Sequence, residues 1–356
     1  MGQEEYQEKR GWKKDTARKY ADKSISENIC KIKKDRVENK SYFVGSPHVQ
    51  MDYESQFPKL LVPKTWYIDK VIREAGLQTK KPKKRKKGGS EYLLYPIQCV
   101  RNLGYVQQSA DFIGKKYISR RSEPINIFSS SYYSPFKLYQ IKRILAEKST
   151  YAIEELIKQW KIYPIPNIFR EDNGLQFRGT ARGKRYLGMF LRFLLNLNIT
   201  PLFGSPSKPW TNPHIEGHNR VFNEKVWGNN LFTSLEQIDI ECERFNQESL
   251  DLFKYKYSEL VANGNFRYME KNQKIITDRL QSKKNKKIYF IRFIESIEEK
   301  RKASIVILNE TVYLPEKYNH QFAFVEWNIE KEQLLIYSEY KKNINLINQI
   351  KFRLNI

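Results

Sequence analysis

Cysteine is scarce in this chain. There are three in 356 residues, Cys30, Cys99 and Cys242, widely separated and with no Cys-x-x-Cys pair. That spacing excludes a disulfide framework and points to a reducing compartment. The four histidines, His48, His214, His218 and His320, form no zinc pattern with them, so a zinc finger is excluded too. No apolar run is long enough to span a membrane, and the opening MGQEEYQEKRGWKK lacks the apolar stretch of a signal peptide. A Met-Gly start can signal myristoylation, but Tyr6 stands where that motif needs Ser or Thr. The expected location is the cytoplasm or nucleoid of a prokaryote, or the nucleus of a eukaryote. Acids are also in short supply. Lys and Arg number 64 against 40 Asp and Glu, a formal charge of +24, which predicts a polyanionic partner.

What the chain does have is apolar and aromatic material. Hydrophobic residues make up 40% of it, enough to bury a real core, and the length suits two to four compact domains. Tyr, Phe and Trp run through the basic segments, where they can stack on bases. A nucleic acid is therefore the expected partner. A merely lysine-rich soluble protein is the weaker alternative.

Five regions follow from composition and periodicity. Residues 1–79 read as short basic helices, with Asp15 and Ser24 as candidate caps. In PKTWYIDKVIREAGL, Ile68, Val71, Ile72 and Ala75 fall at i, i+3, i+4 and i+7, and Gly76 stops the helix. Such helices suit a helix-turn-helix DNA-binding module, or else a small bundle that binds nothing. Residues 80–94 are a linker: KKPKKRKK carries seven basic residues in eight and no core can form there. Its Lys83, Lys84, Arg85 and Lys86 are candidate phosphate contacts.

Residues 95–256 alternate strands and helices: three strands in LGYVQQSADFIG, INIFSSSYY and FKLYQIKRI, then an αβαβα run with a long helix beginning near Asn212. Residues 257–287 read as a basic helical connector. Residues 288–356 carry short strands that read as a small β-barrel, with no clear pattern in the final twenty residues. The fold class is thus a multidomain α/β chain.

Three acids stand out in the central region. Asp111 lies inside a strand, where an acid is disfavoured unless it faces a site or solvent. Asp172 ends a strand and precedes Asn173-Gly174, ordinary turn chemistry taken alone. Glu216 sits in the first turns of a helix that Asn212 can cap and Pro213 can open, with Asn219, Arg220 and Asn223 on its face. Each acid alone is more readily a turn or surface residue. Carboxylates converging from such positions suit metal-dependent phosphoryl transfer, in which oxygen ligands hold two divalent ions.

ADFIG, REDNGLQF and SPSKPWTNPHIEGHNR resemble the catalytic core of the DDE transposase and integrase superfamily, the retroviral-integrase-like group. The family pattern is an Asp in the first strand, Asp-Asn-Gly-x-x-Phe after the fourth, and a Pro-rich lead-in to a helix bearing a Glu. Pro213 stands where the family usually has Gly, and Asp172 and Glu216 are 44 positions apart (216 − 172), with the basic RGTARGKRY between them.

The resemblance implies an RNase H-like core flanked by helix-turn-helix helices and a small β-barrel. It implies Asp111, Asp172 and Glu216 as catalytic and metal-binding residues, two Mg²⁺ ions with Mn²⁺ as the substitute, and cleavage and strand transfer of double-stranded DNA, element ends and target, by a homo-oligomer on DNA. Arg182, Lys184, Lys208, Asn219 and Arg220 become candidate DNA contacts, with Lys225 as a further phosphate contact. His214 and His218 read as helix-surface or packing residues, and Trp210 as packing rather than base stacking. The rival is an inactive or domesticated DNA-binding protein of the same fold. An RNase H-like nuclease without strand transfer is a third reading.

Overall fold

The structure, a computed structural model, describes residues 20, 22–78, 95–101, 103–119, 122–179, 183–297, 302–340 and 343–355. The Asp15 cap, KKPKKRKK with Lys83, Lys84, Arg85 and Lys86, and Arg182 lie outside them. The chain divides into two compact units, Met1–Arg85 and Lys86–Ile356.

In the first unit, α1 (Lys23–Glu38), α2 (Ser46–Gln56) and α3 (Thr65–Glu74) close around Ile29, Ile32, Val49, Tyr53 and Ile68. The spacing of Ile68, Val71 and Ile72 puts all three inside, as periodicity requires. Gly76 has a left-handed φ of 67° just past α3, a conformation glycine adopts at no steric cost. Asp22, rather than Ser24, caps α1: its carboxylate accepts the Ser24 N–H at 2.8 Å. Arg36 joins α1 to α2, donating to both carboxylate oxygens of Asp52 at 2.5 and 2.8 Å, a geometry that binds through both N–H groups at once.

The second unit begins with α4 (Ile97–Arg101) and a meander of β1 (Gln107–Lys116), β2 (Ile125–Ser134) and β3 (Leu138–Ile144). Then come α5 (Ser149–Trp160), β4 (Ile168–Glu171), α6 (Leu175–Arg178), α7 (Met189–Asn196), β5 (Thr200–Phe203), α8 (Pro213–Val221) and α9 (Leu235–Asn263). The C-terminal strands are β6 (Lys287–Phe293), β7 (Glu295–Ile297), β8 (Lys302–Ile307), β9 (Glu310–Leu314), β10 (Phe322–Asn328), β11 (Gln333–Tyr340) and β12 (Asn343–Lys351). β4 runs parallel to β1, and β5 to β4. The result is a large mixed sheet in an α/β layer.

Alternation along β4 sorts the two faces. Phe169 points into a core shared with Trp160 of α5 and with Phe190 and Phe193 of α7. Arg170 points the other way, over the Tyr133 ring, on the side that α8 covers through the stack of His214 on Tyr133. The free edge of β3 is closed by α9: Ser249 accepts the Tyr139 N–H, and the Asn246 amide accepts from Ile141 N–H and donates to its carbonyl. An edge strand whose backbone groups are spent in this way cannot recruit another strand.

Three expectations differ from what the chain does. Residues 288–356 do not stand apart as a barrel. β6 pairs parallel with β5 (Leu202 with Tyr289, Phe203 with Phe290), and β10, β11 and β12 extend the same sheet to nine strands. Apolar residues on both faces of β6 and β10 bury that extension, one face under the small β7–β8–β9 sheet. The helical connector stops at Asn263, because residues 264–286 lack an apolar helical period; they run without regular secondary structure, with backbone bonds to Trp160 and Ile165. The helix from Asn212 ends in a widened turn at 222–227, and after Gly228-Asn229-Asn230 a new helix starts at Ser234, whose hydroxyl accepts the Gln237 N–H.

Candidate active site

β1 and β4 set the first two acids side by side. Their register matches Ser109 with Arg170, so Asp111 and Asp172, each two residues further on, stand level and on the same face. α8 lies across β1 and β2 and brings Glu216 over that spot from its first turn, where the helix dipole favours a carboxylate. All three acids line one cleft of about 240 Å³, together with Asn173, Lys208 and Asn212.

Each acid is held differently. Asp111 accepts the Phe112 N–H at 2.8 Å through Oδ1 and the Asn219 amide N–H at 3.0 Å through Oδ2. Burial, and then the charge of Asp172, push its carboxyl up to about 8, with Glu216 adding in the same direction. Asp172 Oδ1 accepts the Gly174 N–H at 2.8 Å, which closes the turn beyond the strand. Burial raises Asp172, and burial plus the charge of Asp172 raises Glu216, so Asp172 is the member felt by both others. Glu216 is exposed.

The turn bearing Asp172 is pinned from a strand distant in sequence. Asn173 donates to the Gly204 carbonyl at the end of β5 and accepts from the Arg292 guanidinium of β6, each at 2.8 Å. Arg292 is buried and also donates to the carbonyls of Gly204, Ile291 and Val306. Burial, followed by the charge of Arg178, pulls it down to about 9. Nearby, Gly179 (φ 105°) and Gly188 approach so closely that a Cβ on either would sit 2.4–2.5 Å from the other's Cα. Neither position has room for a side chain.

A hard divalent cation is tested by the donors present. Among the described residues, no three His, Cys, Asp or Glu side chains are already grouped at ligand spacing. The donor chemistry nonetheless fits. Three carboxylates face one cleft, none is in an ion pair among the described residues, and their mutual repulsion is what a cation relieves. In the cleft wall Asn212 is buried with neither Oδ1 nor Nδ2 hydrogen-bonded within the protein, so an amide also waits there for a partner.

The remaining candidates divide. Lys208 lines the cleft, its ammonium 4.2 Å above the Phe293 ring. Arg220 is exposed on α8 and Lys184 on the 183–186 strap, where the Lys184 carbonyl accepts from Asn355. Asn219 is not a surface contact: at i+3 from Glu216 it faces β1, is buried, and orients Asp111. His218 is a packing residue, stacked on Tyr139 and hydrogen-bonded with Ser129 Oγ at 2.9 Å, and burial pulls it down to about 3. Trp210 packs between Tyr95 and Phe322.

Sequence reasoning misses Glu171 and Arg292. Glu171 is fully buried beside Asp172 with both oxygens unbonded, and burial raises it well above the ordinary range. Acid-acid in REDNG is the only signal for it. For Arg292, the signal is a lone cation inside the apolar strand IYFIRFI.

No protein-family model and no curated protein matches this sequence. Among solved structures, the chain is similar to the catalytic core domain of BIV integrase at 14% identity, over 43% of this chain and 84% of that one, with a TM-score of 0.27. It is also similar to a simian T-cell lymphotropic virus intasome in complex with PP2A regulatory subunit B56 gamma. That match has 12% identity, covers 89% of this chain and 95% of that one, and has a TM-score of 0.31. Overlaps this loose carry no argument about chemistry, which rests on the residues themselves.

Proposed function

We propose that this chain is a DDE-type DNA transposase or integrase, cutting DNA and joining the cut 3′ end to a second DNA. The observation that carries the reading is the convergence of Asp111, Asp172 and Glu216 on one cleft, in a chain of charge +24. Asp111, Asp172 and Glu216 would hold divalent ions, Mg²⁺ in the cell, which supply the charge that activates the attacking oxygen and stabilises the leaving one.

The chain's own residues do the rest. Asn219 and the Phe112 amide fix Asp111, while the Asx turn and Arg292 fix Asp172. Lys208, which lines the cleft, would hold a phosphate there, and Arg220, exposed at i+4 from Glu216 on α8, would hold another. In cleavage, a water attacks phosphorus and the bond to the DNA 3′ oxygen breaks. In joining, that 3′-hydroxyl attacks a phosphodiester of the second DNA and displaces its 3′ oxygen. One P–O bond forms as one breaks, and no covalent protein intermediate is needed. Two ends joined together call for more than one such centre, hence a homo-oligomer on DNA.

Asp172→Asn tests this. It removes a ligand charge and leaves the basic surfaces intact, so cleavage and joining should fall by at least about 10³-fold while DNA affinity changes less than about threefold. Equal loss of both would assign Asp172 a structural role and sink the reading.

A further inference from the structure

On the other side of the 209–214 lead-in from the acidic cleft lies a second cavity, of about 500 Å³. Tyr95 and Trp210 line it, as do Tyr133 and His214, which stack on each other at 4.3 Å between ring centroids. Arg170 also lines it. Arg170 is only 4% exposed, yet its Nε has no hydrogen-bond partner; Nη1 makes a 3.5 Å contact to the Thr211 carbonyl, and the guanidinium also reaches the Tyr95 hydroxyl. No carboxylate pairs with it among the described residues, and no acid lines the cavity. Its charge is felt instead by the rings around it: burial, and then Arg170, hold down His214, while burial raises Tyr95 and Tyr133 and Arg170 opposes that shift. A buried guanidinium without an anion is costly, and sites that keep one usually bind an anion there.

We propose that this cavity takes one unstacked nucleotide of a DNA strand, its base among the aromatic rings and its phosphate on Arg170. Flat rings suit a base of any sequence, and a guanidinium suits a phosphate through paired N–H groups. Arg101, exposed at the rim, adds charge where the strand would enter. Asp172 follows β4, two residues beyond Arg170 and about 6.6 Å along the chain, on the same side of the sheet, so a strand held at Arg170 passes next to the acidic cleft. The proposal rests on reading that cleft as a DNA-processing centre.

The test uses the full chain in EDTA, so that no strand is cut. Fluorescence anisotropy compares a 12-residue oligothymidylate with an abasic strand of the same length and charge, across a salt series. Wild type should prefer the base-bearing strand by about tenfold. Arg170→Gln should lower the salt slope by about one phosphate, and Arg170→Lys should restore it. His214→Ala, at an exposed ring outside the buried core, should shrink the preference for bases while leaving the slope alone. A preference unchanged in His214→Ala, or a slope unchanged in Arg170→Gln, overturns the proposal. Thymidine monophosphate competing as tightly as the oligomer overturns the strand as ligand and assigns the site to a free nucleotide. Failure here with intact strand joining would spare the catalytic reading, whereas base preference without any joining would spare only the pocket.

Discussion

Asp111 carries the sharpest consequence at the scale of single residues. Its folded value of about 8 lies above the ordinary carboxylate value of 3.8, so the folded chain holds a proton that the unfolded chain has released. A group raised in this way contributes stability that is present at low pH and is lost as pH rises from about 4 through about 8. Asp172 and Glu216, also raised, act in the same direction. The melting temperature in EDTA should therefore fall across that window. Asp111→Asn should make the fall shallower, and added Mg²⁺ should raise the melting temperature more at the alkaline end. A profile identical in wild type and variant would contradict the coupling. The acids themselves were legible in the sequence because each sits at a position with its own rule: mid-strand, before Asn-Gly, after Asn-Pro. The anion-free Arg170 and the unbonded Glu171 were not, because what a buried side chain lacks is a property of its surroundings and leaves no mark on residue order.

Among the elements, β6 decides most. Its strand character was plain from IYFIRFI, but its place was not, since pairing with β5 is a long-range contact between segments that carry no matching signal. For the same reason the C-terminal strands read as a separate barrel. Placed where it is, β6 delivers Arg292 to the back of the Asp172 turn. Arg292→Met strips hydrogen bonds from Asn173, Gly204 and Val306 in a buried position and should cost about 2–4 kcal/mol in denaturant unfolding. It should also lower kcat for cleavage more than it raises KM, because the turn is no longer held. A variant as stable and active as wild type would show that the turn holds itself. The break between α8 and α9 was equally hard to see: both halves read as helix, and only Gly228-Asn229-Asn230 and the Ser234 cap mark the join.

For the whole molecule, the governing facts are two compact units and a large positive charge. The first unit has its own core around Ile29, Val49 and Ile68, and α3 keeps Trp66 60% exposed. On the proposed reading, a fragment of residues 1–90 should prefer the DNA ends that the chain would process over random DNA. A fragment from Glu91 onward should bind both about equally, with affinity falling steeply as salt rises. Discrimination by the second fragment and not the first would move sequence reading out of the helices. The catalytic reading depends on the intact chain doing something simpler, which is binding a divalent cation between its three acids. Electron paramagnetic resonance of Mn²⁺ titrated into the full-length protein measures this without any DNA substrate. Wild type should quench the free-ion signal at a stoichiometry of about one to two ions, and Asp111→Asn, Asp172→Asn and Glu216→Gln should each weaken that uptake at least about tenfold. Equal Mn²⁺ uptake by wild type and all three variants, or none by any of them, would contradict the account.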